Sequence, residues 1–182
     1  MRLPEISRTI QIPDGVVVNI DGQKVTVRGS KATLTRDFSH ASAVFLETNG
    51  AAIRVWAQWP RKKEASLVGT IESHIKNMIT GVTKGYTYKM KIVYSHFPVT
   101  VKVHDKAVLV ENFTGERRAR KAKILGDVKV KIETDDIIVQ GSTLEDVSQT
   151  AANIETITRV TNKDPRVFLD GIYVFERNEG MD

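Results

Sequence analysis

The chain has 182 residues, of which 41% are hydrophobic and 27% are charged, a composition typical of a folded protein and not of a disordered one. It contains no cysteine, which excludes disulfides, thiolate metal sites and thiol nucleophiles. No run approaches about 18 apolar residues, and the first residues lack the apolar core of a secretion signal. We therefore expect no membrane span and no export, as in an intracellular protein.

Charge is unevenly distributed along the chain, whose formal net charge is +5. Residues 83–131 carry 12 Lys and Arg against 4 Asp and Glu, a net of +8, whereas residues 132–182 carry 4 against 11, a net of −7. This separation favours one basic face and a polyanionic partner. A charged surface that only confers solubility is the alternative.

Two stretches show the period-two alternation of apolar residues that is typical of β-hairpins. The first is Ile12–Gly29, with a turn predicted at Asp21-Gly22, and the second is Phe97–Gly115, with a turn predicted near Asp105-Lys106. Their opening prolines, Pro13 and Pro98, are 85 positions apart. The second hairpin therefore repeats the first.

In each half, a further strand and an amphipathic helix follow the hairpin. The strands are predicted at Ala51–Trp59 and Asp135–Gly141. Apolar residues at helical spacing then form one stripe in each half: Leu67, Ile71, Ile75, Met78, Ile79 and Val82, and Leu144, Val147, Ala151, Ile154 and Ile157. The second helix begins with a capping-box signature from Ser142 to Glu145.

The offset between the halves is nearly constant, since IESHI (71–75) and IETIT (154–158) are 83 positions apart. We interpret this as an internal duplication within an α+β fold, in which each domain is a small, mostly antiparallel sheet packed with one helix. Gly81 and Gly85 are expected to end the first helix. The predicted domains are 1–82 and 83–182.

No catalytic or metal-binding pattern is present. The four histidines lack ligand spacing, and His74 on the first helix is expected to be a packed or capping histidine and not a ligand. Asp135 and Asp136 would point to opposite faces of a strand, which makes them a poor acid–base pair. We expect no enzyme activity, no small-molecule substrate, no cofactor and no metal.

Three stretches favour binding of a polyanion. Gly115–Ile124 holds five cations, Arg117, Arg118, Arg120, Lys121 and Lys123, which suit phosphates, although a charged strand edge is the alternative. In Gly81–Pro98, tyrosines alternate with lysines that include Lys89 and Lys91; this pattern fits base stacking, or a strand with its aromatic face in the core. Cations at 61–63 precede the first helix, where a bound phosphate or a solvated loop would explain them.

Three long runs resemble one known family. They are VGTIESHIKNMITGVTKGYTYKMKIVYSHFP (68–98), NFTGERRARKAKI (112–124) and QTAANIETITRVTNKDPRVFLDGIYV (149–174). They are similar to universal ribosomal large-subunit protein number six, number nine in eukaryotic numbering, in its archaeal and eukaryotic form. The similarity covers nearly the whole chain, and details near residues 60–77 look closest to archaeal members.

The resemblance implies a structural constituent of the large ribosomal subunit, made of two copies of one α+β domain. It also implies that the C-terminal domain binds large-subunit ribosomal RNA near the stalk base and the factor-binding region, beside neighbouring ribosomal proteins. By position, the implied RNA contacts are Lys163, Asp164, Arg166, Phe168, Asp170 and Gly171, with support from Arg117, Arg118, Arg120 and Lys121.

Two other functions are weighed against this one. A non-ribosomal RNA-binding module would bind short generic RNA nearly as well as a cognate junction. A protein-only scaffold would purify with protein partners and without nucleic acid.

From the residues alone, the basic Lys163 and Arg166 are predicted to lie on a loop. A helix fixes one end of this loop, and Asp164-Pro165 keeps that helix from extending further. A final strand, which follows a turn at Gly171, fixes the other end.

Overall fold

The computed structural model describes residues 4–164 and 166–181 of the chain. The residues group into two compact units, Met1–Lys84 and Gly85–Asp182. The helices are α1 (Lys62–Thr83) and α2 (Leu144–Ile157), and a short 3₁₀ turn spans Phe113–Gly115. The strands are β1 (Glu5–Gln11), β2 (Val17–Asp21), β3 (Lys24–Arg28), β4 (Thr33–Asp37), β5 (Phe45–Thr48), β6 (Ala52–Gln58), β7 (Tyr86–Val93), β8 (Thr100–His104), β9 (Ala107–Glu111), β10 (Arg120–Lys123), β11 (Lys129–Glu133), β12 (Asp136–Gly141) and β13 (Gly171–Glu179).

The first unit contains two antiparallel sheets of three strands, ordered β1-β6-β5 and β2-β3-β4. Strand β6 alternates buried Ile53, Val55 and Ala57 with more exposed residues, so one of its faces belongs to the core. Helix α1 covers that core with the predicted apolar stripe, of which Ile71, Ile75, Met78, Ile79 and Val82 are buried and Leu67 is partly buried.

The second unit repeats this plan and adds one strand. Its sheets are ordered β10-β9-β8 and β11-β12-β7-β13, again antiparallel. Within the described residues, the order β7-β12-β11 matches β1-β6-β5 of the first unit, and β13 pairs along the free edge of β7. Helix α2 packs on this sheet through Val147, Ala151 and Ile154, which are all buried.

The expected duplicated α+β fold is confirmed, and it is more elaborate than one sheet per domain. In each unit, the three strands of the hairpin region form their own sheet, and the strand before the helix belongs to the second sheet. The second hairpin turn is confirmed at Asp105-Lys106, since His104 pairs with Ala107. The first hairpin is also present, but its turn lies at Gly22-Gln23, one residue later than predicted, since Asp21 pairs with Lys24. Of the tyrosines in Gly81–Pro98, Tyr86 is buried and Tyr88 is partly buried in β7 against the core, whereas Tyr94 follows the strand and is exposed.

The predictions of where the two helices begin and end were less accurate. The N-cap of α2 is Thr143 without a side-chain cap hydrogen bond, so the capping box predicted from Ser142 is wrong. Because the helix begins one residue later than that box requires, Glu145 is not the third helical residue. Gly81 lies within α1, while Gly85, with φ of 80°, follows its end. Lys62 and Lys63, which we expected before α1, form its first turn.

Within the described residues, neither helix combines the length and hydropathy that a bilayer crossing requires.

Candidate nucleic-acid interface

The basic stretch near the end of the chain forms a loop of thirteen residues, 158–170, between the last residue of α2 and the first residue of β13. Its first residue, Thr158, is buried. The Thr158 hydroxyl donates to the carbonyls of Ile154 and Glu155, both at 3.1 Å, and accepts the N–H of Ile172 at 3.1 Å. One side chain therefore ties the last turn of α2 to β13 and fixes where the loop begins.

The other end of the loop is fixed by the carboxylate of Asp170, which is 2% exposed. Its Oδ1 accepts the backbone N–H groups of Ser95 and His96 at 2.8 and 3.2 Å. Its Oδ2 accepts Nδ1 of His96 at 2.7 Å and the Ser95 hydroxyl at 3.4 Å. Burial acts to raise the pKa of Asp170, but these hydrogen bonds outweigh it and lower the pKa to about 2. Asp170 is therefore an ionised internal acceptor that joins the loop to the end of β7.

Aromatic stacking holds the middle of the loop. The ring of Phe168 stacks on the imidazole of His96, with centroids 4.4 Å apart and an interplanar angle of 19°. The ammonium of Lys163 lies 4.3 Å from the centroid of the same Phe168 ring, a cation–π contact. Lys163, Phe168, His96 and Asp170 thus form one connected set, which places the Lys163 cation at the surface.

A turn at Asp164 presents the second cation of the loop. The Asp164 carbonyl accepts the N–H groups of Val167 and Phe168 at 3.1 and 3.0 Å, and its carboxylate accepts the N–H of Arg166 at 3.0 Å. The Arg166 side chain is 91% exposed, with Nε 3.7 Å from the same carboxylate. Helix α2 ends at Ile157, well before the predicted helix stop at Asp164-Pro165, and Pro165 lies outside the described residues.

Gly171 begins β13 opposite Val93 and does not form the predicted turn, since its φ is not positive. A Cβ at Gly171 would lie 2.7 Å from the tip of the Tyr173 ring. The Tyr173 hydroxyl donates to the carbonyl of Leu169 at 3.3 Å. The missing side chain at Gly171 therefore lets Tyr173 fold back over the strand and hold the loop, as aromatic residues do over strand glycines.

The cations of the basic stretch Gly115–Ile124, which follows the second hairpin, fall into two classes. Arg117 and Arg118 are exposed in a bend, and Lys121 is exposed on β10. Arg120 lies on the same side of β10 as buried Ala122, and its guanidinium stacks 4.5 Å over the Phe113 ring. That guanidinium also donates to both carboxylate oxygens of Glu116 at 2.9 and 2.5 Å, and lowers the pKa of Glu116.

Arg120 also connects the hairpin to the loop. Its Nη1 donates to the carbonyl of Ile157 at 2.5 Å and to that of Arg159 at 3.4 Å. These carbonyls mark the end of α2 and the start of the 158–170 loop. The structure therefore brings the two predicted basic segments together through Arg120.

Lys89 and Lys91 lie on the outer face of β7. The Lys89 ammonium is 2.8 Å from Glu176 and that of Lys91 is 2.9 Å from Asp136. The hydrogen bond to Asp136 raises the pKa of Lys91, whereas the bond from Lys89 lowers the pKa of Glu176. Both lysines are thus neutralised by carboxylates on neighbouring strands.

A cleft of about 780 Å³ opens beside the loop. One wall is the exposed side of the last turn of α2 with Glu155, continued by Arg159 at the start of the loop, and the other carries Lys163, Phe168, Leu169 and Tyr173. Elsewhere, the described residues contain no group of three or more His, Cys, Asp or Glu side chains arranged to hold a metal ion. The His74 ring lies 6.3 Å from buried Phe38, which confirms a packing role.

Comparison with known proteins identifies the family. The model of the family described as "Ribosomal protein L6" matches two segments, residues 12–85 and 97–171, one in each unit. Three relatives named "Large ribosomal subunit protein uL6" are similar over almost their full length. The chain is 49% identical over 182 residues to the protein of Desulfurococcus amylolyticus (99% of each chain), 50% over 182 residues to that of Staphylothermus marinus (98% of each) and 47% over 180 residues to that of Methanosphaera stadtmanae (98% of this chain, 97% of the relative). The chain belongs to the ribosomal protein L6 family.

Membership in the L6 family confirms the resemblance, including its archaeal form, and makes the chain a ribosomal protein and not an enzyme. The matched segments fall on the two copies that the offset of 83–85 positions predicted. Sequence reasoning did not identify Ser95 and His96 as partners of the loop. The one signal in the sequence was the polar pair Ser95-His96 between β7 and the second hairpin, and this pair alone does not indicate a contact with Asp170.

Proposed function

We propose that this chain is a structural constituent of the cytoplasmic large ribosomal subunit, and that it binds large-subunit ribosomal RNA mainly through residues 83–182. Its membership in the L6 family and the names of its relatives support the ribosomal role. We further propose that it braces the region near the stalk base and the factor-binding site, beside neighbouring ribosomal proteins. The two units, each with its own hydrophobic core, suit such a structural role.

The observation that carries the RNA proposal is the position of Lys163 and Arg166. They lie exposed on a loop that is fixed at Thr158 and at Asp170, and that follows only the second of the two duplicated helices. A fixed loop loses little conformational entropy when it binds. Its cations gain affinity because they release the counterions condensed on the RNA backbone. Because A-form RNA hides its base edges in a deep groove, such a loop reads the shape of the backbone.

The twelve proposed interface residues divide by their contacts. Exposed cations are proposed to meet phosphates: Lys163, Arg166, Arg117, Arg118 and Lys121. A second group is proposed to act through internal contacts that shape the loop and join it to the hairpin: Asp164, Phe168, Asp170, Gly171 and Arg120. Lys89 and Lys91 would have to exchange a carboxylate for a phosphate, and so they contribute less.

A charge-reversal experiment tests the proposal. In filter-binding titrations with large-subunit rRNA fragments, Lys163→Glu with Arg166→Glu is expected to weaken binding far more than Lys24→Glu with Arg28→Glu. Lys24 and Arg28 are matched controls, since they are exposed at the ends of β3 in the first unit. Equal losses for the two double variants would contradict the assignment of the loop.

Sedimentation tests the ribosomal role independently. In a sucrose gradient, the wild-type chain is expected to stay with large subunits through a high-salt wash. Release into the soluble fraction, with equal affinity for short generic RNA, would favour a non-ribosomal RNA-binding module instead.

A further inference from the structure

We propose that the cleft between α2 and the 158–170 loop binds one unpaired nucleotide of RNA, and that Glu155 makes it select guanine. The inference rests on the proposed RNA-binding function and names a subsite within it. The cleft volume of about 780 Å³ falls in the usual range for sites of small ligands, roughly 300–1,000 Å³.

The wall formed by the loop and β13 is apolar and aromatic. Leu169 is 59% exposed and Tyr173 is 44% exposed, so large apolar surfaces face the cleft without being covered by the core. Tyr173 is held by its hydrogen bond to the Leu169 carbonyl. A flat base that lies against these side chains would remove apolar area from water, which is how proteins hold splayed-out RNA bases.

Two cations stand at the same cleft. Arg159 is exposed, and its guanidinium makes no hydrogen bond or ion pair within the described residues. Lys163 contacts the Phe168 ring, a contact that leaves its ammonium hydrogens free to donate. Arg159 and Lys163 are therefore suited to the phosphate that accompanies a base, since arginine can donate two parallel hydrogen bonds to phosphate oxygens.

Glu155 supplies the selectivity. Its carboxylate is exposed at the cleft and, within the described residues, has no ion pair, not even with Arg159 four positions further along the chain. A carboxylate only accepts hydrogen bonds, and it has two oxygens. Among the four RNA bases, guanine presents two adjacent donors, N1–H and the 2-amino group, that match those oxygens. Uracil presents a single N–H between two carbonyls, which the carboxylate repels.

One nucleotide matches these walls better than any single protein side chain does. A protein side chain would use the apolar wall but would leave two cations and a carboxylate without partners, a costly arrangement on desolvation. A nucleotide uses all three, because its phosphate, ring and base edge match the cations, the apolar wall and the carboxylate respectively.

The test is an NMR titration of the full chain with GMP, IMP, UMP and ribose 5-phosphate, following the amide signals of Thr156, Arg159 and Leu169. IMP lacks only the 2-amino group of guanine, and ribose 5-phosphate lacks the base. We expect GMP to bind about tenfold more tightly than UMP or ribose 5-phosphate, with IMP between them. Glu155→Gln should remove the difference between GMP and IMP, whereas Glu133→Gln on β11 should leave it unchanged.

Equal binding of all four compounds would overturn the proposal, because the cations would then be taking any phosphate. It would also be overturned if the cleft signals stay unchanged with every nucleotide but move on adding proteins stripped from large subunits, since the occupant would then be a protein. If rRNA fragments bind the wild-type chain but guanine is not preferred, only this inference fails. If those fragments do not bind at all, the proposed function fails first.

Discussion

The imidazole Nδ1 of His96 lies 2.7 Å from Oδ2 of Asp170, although 74 positions separate the two residues in the sequence. Because Asp170 immediately precedes β13 and His96 lies shortly after β7, the contact fixes the end of the loop beside its neighbouring strand. The same imidazole supports the Phe168 ring. The shape of the proposed RNA-binding loop therefore depends on a residue outside it.

The first prediction concerns acid stability. The pKa of Asp170 is lowered from 3.8 to about 2 in the folded chain, so its carboxylate stabilises the fold at pH values above about 4. That contribution, about 2 kcal/mol at about 1.4 kcal/mol per pKa unit, is lost as the pH falls from 4 to 2. Asp170→Asn should lower stability at pH 6 and weaken the pH dependence between 4 and 2.

All four tyrosines lie in the second unit, so tyrosine emission during urea unfolding at pH 6, 4 and 3 measures this effect. Asp14→Asn, at an exposed turn in the first unit, is the control and should leave the curves unchanged. A pH profile of Asp170→Asn that parallels the wild type would contradict the role of this carboxylate.

The second prediction contrasts two glycines of the first unit. A Cβ at Gly29 would lie 2.6 Å from the backbone carbonyl oxygen of Val82, whereas a Cβ at Gly69 in α1 would meet nothing within 4 Å. Gly29→Ala should destabilise by about 1–3 kcal/mol, because backbone must move. Gly69→Ala should stabilise by about 0.5–1 kcal/mol, because alanine favours the helix. Both tryptophans lie in this unit, so their fluorescence during urea unfolding reports it; shifts of the same sign would refute the contrast.

The third prediction concerns Arg120. Lysine keeps the charge but cannot reproduce the planar guanidinium that meets Glu116, the Ile157 carbonyl and the Phe113 ring together. Arg120→Lys should therefore cost about 1–3 kcal/mol in the free energy of unfolding, measured by tyrosine emission. Arg117→Lys, on an exposed bend, should cost less than about 0.5 kcal/mol. Similar costs would mean that Arg120 is a surface cation like its neighbours.

The fourth prediction separates phosphate contacts from positioning contacts by salt dependence. Each phosphate contact adds roughly 0.7–0.9 to the slope of log affinity against log salt concentration. Lys163→Ala with Arg166→Ala should therefore make the slope for an rRNA fragment shallower by about 1.4–1.8. Arg120→Lys should weaken binding without changing the slope. Titrations between 50 and 300 mM potassium chloride measure both, and an unchanged slope for the loop variant would count against phosphate contacts there.

Local patterns predicted much of the fold because they reflect local physics. The hairpin turn at Asp105-Lys106 and the apolar stripes of both helices were predicted correctly, since strand and helix periods place such residues on one face. The division of each unit into two sheets was not predicted. It depends on which strands pair across long separations, and alternation within a strand carries no information on that pairing.

The candidate site was predictable in its cations but not in their roles. Arg117 and Arg120 contribute equally to the basic signal of the sequence, and only the tertiary fold shows that Arg120 is used internally. Asp170 was assigned by resemblance as a contact residue, yet its side chain is buried among donors from a distant segment. The sequence therefore indicated which segments carry cations, but not which of their side chains are exposed and which are held by internal contacts.

The length of chain after each helix explains why the two copies differ. Only two residues, Lys84 and Gly85, separate α1 from β7, whereas thirteen separate α2 from β13. The first copy therefore has no loop at this position, because the chain continues after two residues into β7, the first strand of the second copy. Of the two copies, only the second has a long loop and a closing strand after its helix, so the proposed RNA-binding loop has no counterpart in the first copy.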